Sequence, residues 1–260
     1  MKKEYRIPLL SNVAVGSATH VLTFRSKEIA AAANPGQFVN VSSDLFLKRP
    51  FGVLDTDPEA GTFSIGVRRI GAGTGYICDA VPGTFFEVLG PLGNGFVFDQ
   101  TKRIIAIGGG TGIFPLRFAL KRARELGIPS LSLNGFRSKS DIILLSSFEE
   151  VADQVRISTD AGDFGTKGNV VNLLSELTKE EMKDAILMTV GPEIMMKNVA
   201  KWADGAGLFC QVSLEKRMAC GIGACLVCVC KVKAEAEGEP FRHVRCCKEG
   251  PVFAASEVIW

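Results

Sequence analysis

A chain of 260 residues, 47% hydrophobic and 22% charged, is long enough for two or three compact units with substantial cores. Its 30 Lys and Arg against 28 Asp and Glu leave a net charge of +2, which excludes the basic bias of a nucleic-acid or anionic-surface binder. No stretch approaches the roughly 18–20 apolar residues of a membrane helix. Glu4, Arg6, Pro8, Ser11 and Asn12 break the basic N-terminal stretch before it forms an apolar leader core, so a cytoplasmic protein is expected.

Residues 1–100 read as short strands separated by Gly and Pro, most clearly "QFVNVS" (37–42), "FSIGVRR" (63–69) and "FFEVLG" (85–90). Such spacing predicts a small antiparallel barrel, interrupted by a helical turn in "GAGTGYICDAV" (71–81). From residue 103 the texture changes. The apolar strand "RIIAIGGG" leads into a helical pattern over 112–127, and further buried strands are expected at 130–136, 154–159 and 185–191. Helical stretches at 168–177 and 192–204 alternate with them, which predicts a parallel α/β sheet. A last strand, "LFCQVSLE", opens the cysteine-rich C-terminal segment, and "KVKAEAEGEP" (231–240) reads as a solvated hairpin tip.

Six of the eight cysteines lie between residues 220 and 247, and "CGIGACLVCVC" packs four of them into residues 220–230. Cys220, Cys225 and Cys228 give C-x4-C-x2-C, the spacing of plant-type [2Fe–2S] proteins, with a distant fourth ligand available from Cys246 or Cys247. Gly221, Gly223 and Ala224 let the backbone wrap closely and present N–H groups to thiolate sulfur. A zinc site is the competing reading, although it favours two C-x2-C pairs or Cys with His, and His243 is the only nearby imidazole. Ordinary packing is the other, and it is the reading adopted for the isolated Cys78 and Cys210. Cys230 is read as a neighbour of the site rather than a ligand.

Three further stretches point to phosphate. "GGGTG" (Gly108, Gly109, Gly110, Thr111, Gly112) sits between a strand and a helix, as a pyrophosphate site requires, yet Ile113 occupies the third position of a G-x-G-x-x-G fingerprint. A tight structural turn is the alternative. "VGPEIMM" repeats the strand-to-helix arrangement at Gly191 and Pro192. "KRPFGV" places Arg49, suited to phosphate, beside Pro50 and the Phe51 ring, which can stack on a flavin; an ordinary surface arginine is the equal alternative. "GPLGNGF" (90–96) reads as a rigid double turn. With two histidines and no evident carboxylate pair, the chain lacks an acid–base constellation and must rely on cofactors.

Taken together, "PGQFVNV", "RPFGV", "GAGT", "GPLGNGF", "GGGTGIFPL", "GPEIMMK", "SLEKRMACGIGAC" and "CKEGPVF" resemble, over essentially the full length, the electron-transfer subunits of NAD-dependent (B-type) dihydroorotate dehydrogenases in the ferredoxin reductase superfamily. The resemblance implies an FAD-binding barrel (1–100), an NAD-binding α/β domain (101–207) and a [2Fe–2S] domain (208–260). It carries the flavin motifs onto Arg49, Pro50, Phe51 and Gly52, onto Gly66, Val67 and Arg68, and onto Gly73 and Thr74. Gly52 stands where the family has Ser, and Val67 where a Tyr is usual. Gly108, Gly109, Gly110, Gly112, Gly191 and Pro192 would face NAD, and Cys247 rather than Cys246 would be the fourth cluster ligand. The implied partner is an FMN-containing catalytic subunit, two of each chain, that oxidises dihydroorotate to orotate in pyrimidine biosynthesis. Electrons would then pass through [2Fe–2S] and FAD to NAD+. Related flavin/iron–sulfur subunits of sulfhydrogenases and ferredoxin–NADP transhydrogenases share the pattern, and a zinc-stabilised binding module is the reading from a different class.

Overall fold

The computed structural model describes residues 3–100, 102–234 and 238–260. Six strands close an antiparallel barrel in the order β1 (Glu4–Gly16), β2 (Thr19–Arg25), β5 (Thr62–Arg68), β4 (Arg49–Asp57), β3 (Phe38–Val41) and β6 (Phe85–Leu92). Alternation builds it: along β6, Phe86, Val88 and Leu92 are buried while Phe85 and Glu87 face out. Phe24, Phe63 and Phe86 fill the interior, the first two stacked with centroids 5.4 Å apart. Helix α1 (Lys27–Ala32) and helix α2 (Ala72–Asp79) complete this part, α2 where a helical turn was expected.

The second layer is a seven-stranded sheet. Its parallel strands are β10 (Thr166–Lys167), β9 (Gln154–Thr159), β8 (Ser130–Phe136), β7 (Arg103–Gly109), β11 (Ala185–Val190) and β12 (Phe209–Ser213), in that order. The antiparallel β15 (Val252–Ala254) closes the edge. All residues of β8 and β11 are buried, as strands covered on both faces must be. Helices α3 (Ile113–Glu125), α4 (Leu145–Glu149), α5 (Lys179–Met182) and α6 (Glu193–Gly205) accompany the sheet. The helix expected over 168–177 is a 3-10 segment, Val170–Glu176. Gly168 at φ +118 and the capping Asn169 start it late, the β-branched Val170 and Val171 lead it, and Leu177 is already extended before the next cap at Thr178.

The C-terminal segment is woven into this sheet, since β12 takes its hydrogen bonds from β11 and β15 returns beside β12. Between them lie the cysteine loop and a hairpin of β13 (Val229–Val232) and β14 (Arg242–Arg245). Residues 235–237 of the expected hairpin tip lie outside the described residues. Two contacts lock the parts together. On α3, Arg117 and Lys121, one turn apart, both reach Asp55 of β4 at 2.7 Å. From the double turn after β6, Asn94 Nδ2 donates to the Glu249 and Val252 carbonyls, and Asn94 Oδ1 accepts from Val252 N at 3.0 Å.

Candidate functional site

From β7 the chain winds outward through β8, β9 and β10, then crosses back to lay β11 on the other side of β7. The carboxyl ends of β7 and β11 therefore form a topological switch point, where open α/β sheets bind ligands. Both glycine turns meet there. A Cβ on Gly112 would lie 2.5 Å from the Val190 carbonyl, and one on Gly191 only 3.1 Å from Gly109 N. Pro192, with its Cδ 3.1 Å from a Cβ on Gly109, caps α6 in the same crevice. Gly110 differs: it is exposed, its φ is +54, and nothing stands within 4 Å of where its side chain would be. Its backbone is open to a phosphate.

On the barrel, the Arg49 guanidinium lies across the start of α2, so that a Cβ on Gly73 would sit 2.8 Å from Arg49 Nε. Thr74 Oγ1 accepts from Ile70 N and Gly71 N and fixes that turn. Arg49 also donates to the Leu47 carbonyl at 3.0 Å. Arg49, Gly73 and Thr74 are thus one cradle of cation and small residues. The neighbouring motif residues are arranged differently. Val67 is fully buried in the barrel core with Phe51 packed against that core, while Arg68 is exposed at the end of β5. Gly52 and Gly66 face α3: a Cβ at Gly52 would lie 2.6 Å from Pro115 Cγ, and one at Gly66 2.3 Å from the Phe114 ring. The Ser that the family places at position 52 has no room here, because Pro115 holds its space.

The cysteine loop turns on Gly221 and Gly223, at φ +68 and +86. Cys220 Sγ accepts from the backbone N–H of Ile222, Ala224 and Cys225 at 3.5, 3.3 and 3.4 Å. Burial opposes ionisation of Cys220, but these donors and the Cys225 thiol outweigh it and bring its pKa down to about 6. Cys228 Sγ accepts from Cys247 N at 3.4 Å, and the two thiols are hydrogen-bonded. Burial, then the Cys228 thiol, push Cys247 up to about 12. The four thiols thus fall into two pairs, Cys220 with Cys225 and Cys228 with Cys247. Cys246 turns away and donates to the Leu214 carbonyl at 3.1 Å, and Cys230 Sγ contacts the Val244 carbonyl. Among the described residues no three His, Cys, Asp or Glu side chains converge as they would around a single metal ion.

Two supports stand outside the C-x4-C-x2-C run. Arg245 Nη1 donates to the Gly223 carbonyl at 2.9 Å, and Glu249 holds the guanidinium in place; the ion pair with Arg245 pulls the Glu249 carboxyl down to about 2. Asn94, within "GPLGNGF", is the other, and holds the segment after Cys247 through Glu249 and Val252.

A family model of the iron–sulfur cluster binding domain of dihydroorotate dehydrogenase B matches residues 215–259. The dihydroorotate dehydrogenase B (NAD(+)) electron transfer subunit of Caldanaerobacter subterraneus is 37% identical, with 100% of each chain covered. That of Bacillus caldolyticus is 32% identical over 98% of each chain. The chain belongs to this family. Among solved structures, that of an NADH-dependent reduced ferredoxin-NADP oxidoreductase superposes with a TM-score of 0.88 at 30% identity, covering 98% of this chain and 90% of the other. The ferredoxin reductase of carbazole 1,9a-dioxygenase shares the fold at a TM-score of 0.69 and 19% identity, over 80% and 67% of the two chains. This electron transfer subunit therefore joins a flavin-reductase fold to an iron–sulfur-binding segment, and no helix among its described residues is long and apolar enough to cross a membrane.

Proposed function

We propose that this chain is the redox half of a dihydroorotate dehydrogenase, taking electrons from a partner FMN subunit that converts dihydroorotate to orotate and delivering them to NAD+. The observation that carries this reading is the arrangement of four thiols as two pairs, with Asn94 of the turn after β6 holding the segment that follows Cys247. Two thiolates per iron suit a [2Fe–2S] cluster held by Cys220, Cys225, Cys228 and Cys247. When bound, such a cluster carries single electrons and a flavin one or two, which joins a partner's oxidation to a hydride acceptor. The residues of this chain do the holding. Arg49, with the Gly73–Thr74 turn, binds the FAD phosphates, and the backbone of Pro50–Gly52 and Gly66–Arg68 lines the flavin. Gly108–Gly112 and Gly191–Pro192 receive the nicotinamide nucleotide. Residues 1–100, 101–207 and 208–260 divide these three tasks, and the working place of the protein is the cytoplasm.

The partner surface lies beside the thiols. Ile222, Leu226 and Val227 are 42%, 61% and 51% exposed, and Leu226 is held at φ +60, which costs a side chain on the order of 1–2 kcal/mol. An open groove of about 630 Å³ runs from Leu226 past Val229 to Arg245 and Glu249. Exposed apolar residues around an electron-entry point, one of them held in strained backbone, suit a catalytic subunit covering them. The match to a ferredoxin-NADP oxidoreductase favours a second reading, a similar chain serving a different flavoprotein.

Anaerobic purification tests the reading. The chain should be brown, with flavin bands, one FAD and two irons, and should co-purify with an FMN subunit that oxidises dihydroorotate. A colourless zinc protein, or a partner without that activity, would contradict it.

A further inference from the structure

The Arg245 guanidinium lies where the two cysteine-bearing segments meet. Arg245 ends β14, opposite Val229, and the chain beyond it turns tightly around Cys247. Lys248 N and Glu249 N both donate to the Arg245 carbonyl at 2.9 Å, which brings Glu249 back onto Arg245. Arg245 Nε then donates to Glu249 Oε2 at 3.1 Å and Nη2 donates to Oε1, a two-pronged, charge-assisted contact. Glu249 Oε2 also accepts from Arg245 N at 2.8 Å. The carboxylate thus fixes the guanidinium, and Nη1 is left to donate to the Gly223 carbonyl at 2.9 Å.

That carbonyl shares a peptide unit with the Ala224 N–H. The unit is planar and trans, so a donor fixed on the oxygen aims the N–H in the opposite direction. Ala224 N donates to Cys220 Sγ at 3.3 Å. Gly223, at φ +86 and without a Cβ, gives the peptide freedom to swing unless something holds it. A Cβ on Gly223 would also lie 2.8 Å from Lys248 Cδ, so the loop packs against the residue after Cys247. One chain of contacts therefore runs from Glu249 through Arg245 and the Gly223–Ala224 peptide to Cys220 Sγ.

We propose that Arg245 is a positioning residue for the cluster: by holding the Gly223 carbonyl it aims the Ala224 N–H at Cys220 Sγ and raises the reduction potential, and Glu249 holds Arg245 in that pose. This rests on the cluster assignment above. Reduction adds negative charge that spreads onto the thiolate sulfurs, and an N–H aimed at sulfur stabilises it. Charge alone makes the opposite prediction at Glu249. A carboxylate beside the cluster opposes an added electron, so its removal would raise the potential. Removing the support of Arg245 would lower it.

The test uses the full chain loaded with FAD and cluster, comparing wild type with Arg245→Met and Glu249→Ala. The midpoint potential of the cluster is read by EPR-monitored redox titration. Both side chains line the open groove rather than the core, so the variants should fold and keep their FAD. Arg245→Met should shift the oxidised-to-reduced ratio about tenfold towards oxidised, a fall of about 59 mV for one electron. Glu249→Ala should lower the potential too, although it removes a negative charge. An unchanged potential in Arg245→Met would overturn the proposal, as would an unchanged or raised potential in Glu249→Ala. If Arg245→Met assembles no cluster, Glu249→Ala decides alone. Failure of both to assemble one would assign the pair a purely structural role and overturn it as well. Wild-type protein that assembled no cluster would sink the functional assignment first, and this inference with it.

Discussion

The Cys246 thiol donates to the Leu214 carbonyl, whereas Cys247 shares a hydrogen bond with Cys228. Removing a thiolate ligand leaves an iron short of its coordination. Cys247→Ser should therefore lose the cluster, measured as iron per chain, while Cys246→Ser should keep it because a hydroxyl still reaches Leu214. The reverse pattern would reassign the ligand. At Gly52, restoring the family's Ser should not improve flavin binding. The added atoms meet Pro115, so Gly52→Ser should destabilise the protein by about 1–3 kcal/mol in urea unfolding. At this scale the sequence is informative where spacing encodes chemistry, as in C-x4-C-x2-C. It places Asn94 in the "GPLGNGF" turn but not against its partners, which are 155–158 residues away. Nor does it show that Pro115 fills the space beside Gly52, since that contact joins two domains.

Among the elements, α5 shows how much a cap can hold. Glu181 accepts from Thr178 N at 2.8 Å, completes a capping box and pairs with Arg156 of β9. The bond from Thr178 N, ahead of the contribution of Arg156, lowers the Glu181 pKa. A carboxylate lowered on folding stabilises above its unfolded pKa, and that contribution fades as pH falls through the folded value. Glu181→Ala should thus cost about 1 kcal/mol at pH 7, with the gap to wild type narrowing below about pH 4, as read from urea melts at both pH values. An equal gap throughout would assign the effect to packing. The Asn94 latch spans elements: Asn94→Ala should destabilise the cysteine segment by about 2–3 kcal/mol, seen as faster iron loss to a chelator. Strands such as Ala185–Val190 were legible because buried parallel strands are near-continuous apolar runs. The long β1 was not, because register shifts at Leu9–Ser11 and Ala14–Gly16 interrupt its alternation.

In the whole molecule, the barrel, the glycine crevice and the thiol loop meet along a few named contacts: Asp55 with Arg117 and Lys121, Asn94 with Glu249 and Val252, and Asn40 with Gly221. The alternation of strand and helix from residue 103 made the layered architecture legible. The return of β15 to the sheet was not, since a three-residue strand carries too little pattern to be read. The central claim is that electrons from a partner reach NAD+ only by way of the thiol-bound cluster. The most direct measurement pairs the FMN subunit with wild-type or Cys247→Ser chain and follows NADH formation from dihydroorotate and NAD+, beside NADH oxidation by a soluble dye. Cys247→Ser should abolish the coupled reaction and spare the dye reaction, because a dye can meet the flavin directly while the partner cannot. A cluster-free chain that still coupled dihydroorotate to NAD+ at the wild-type rate would contradict the claim.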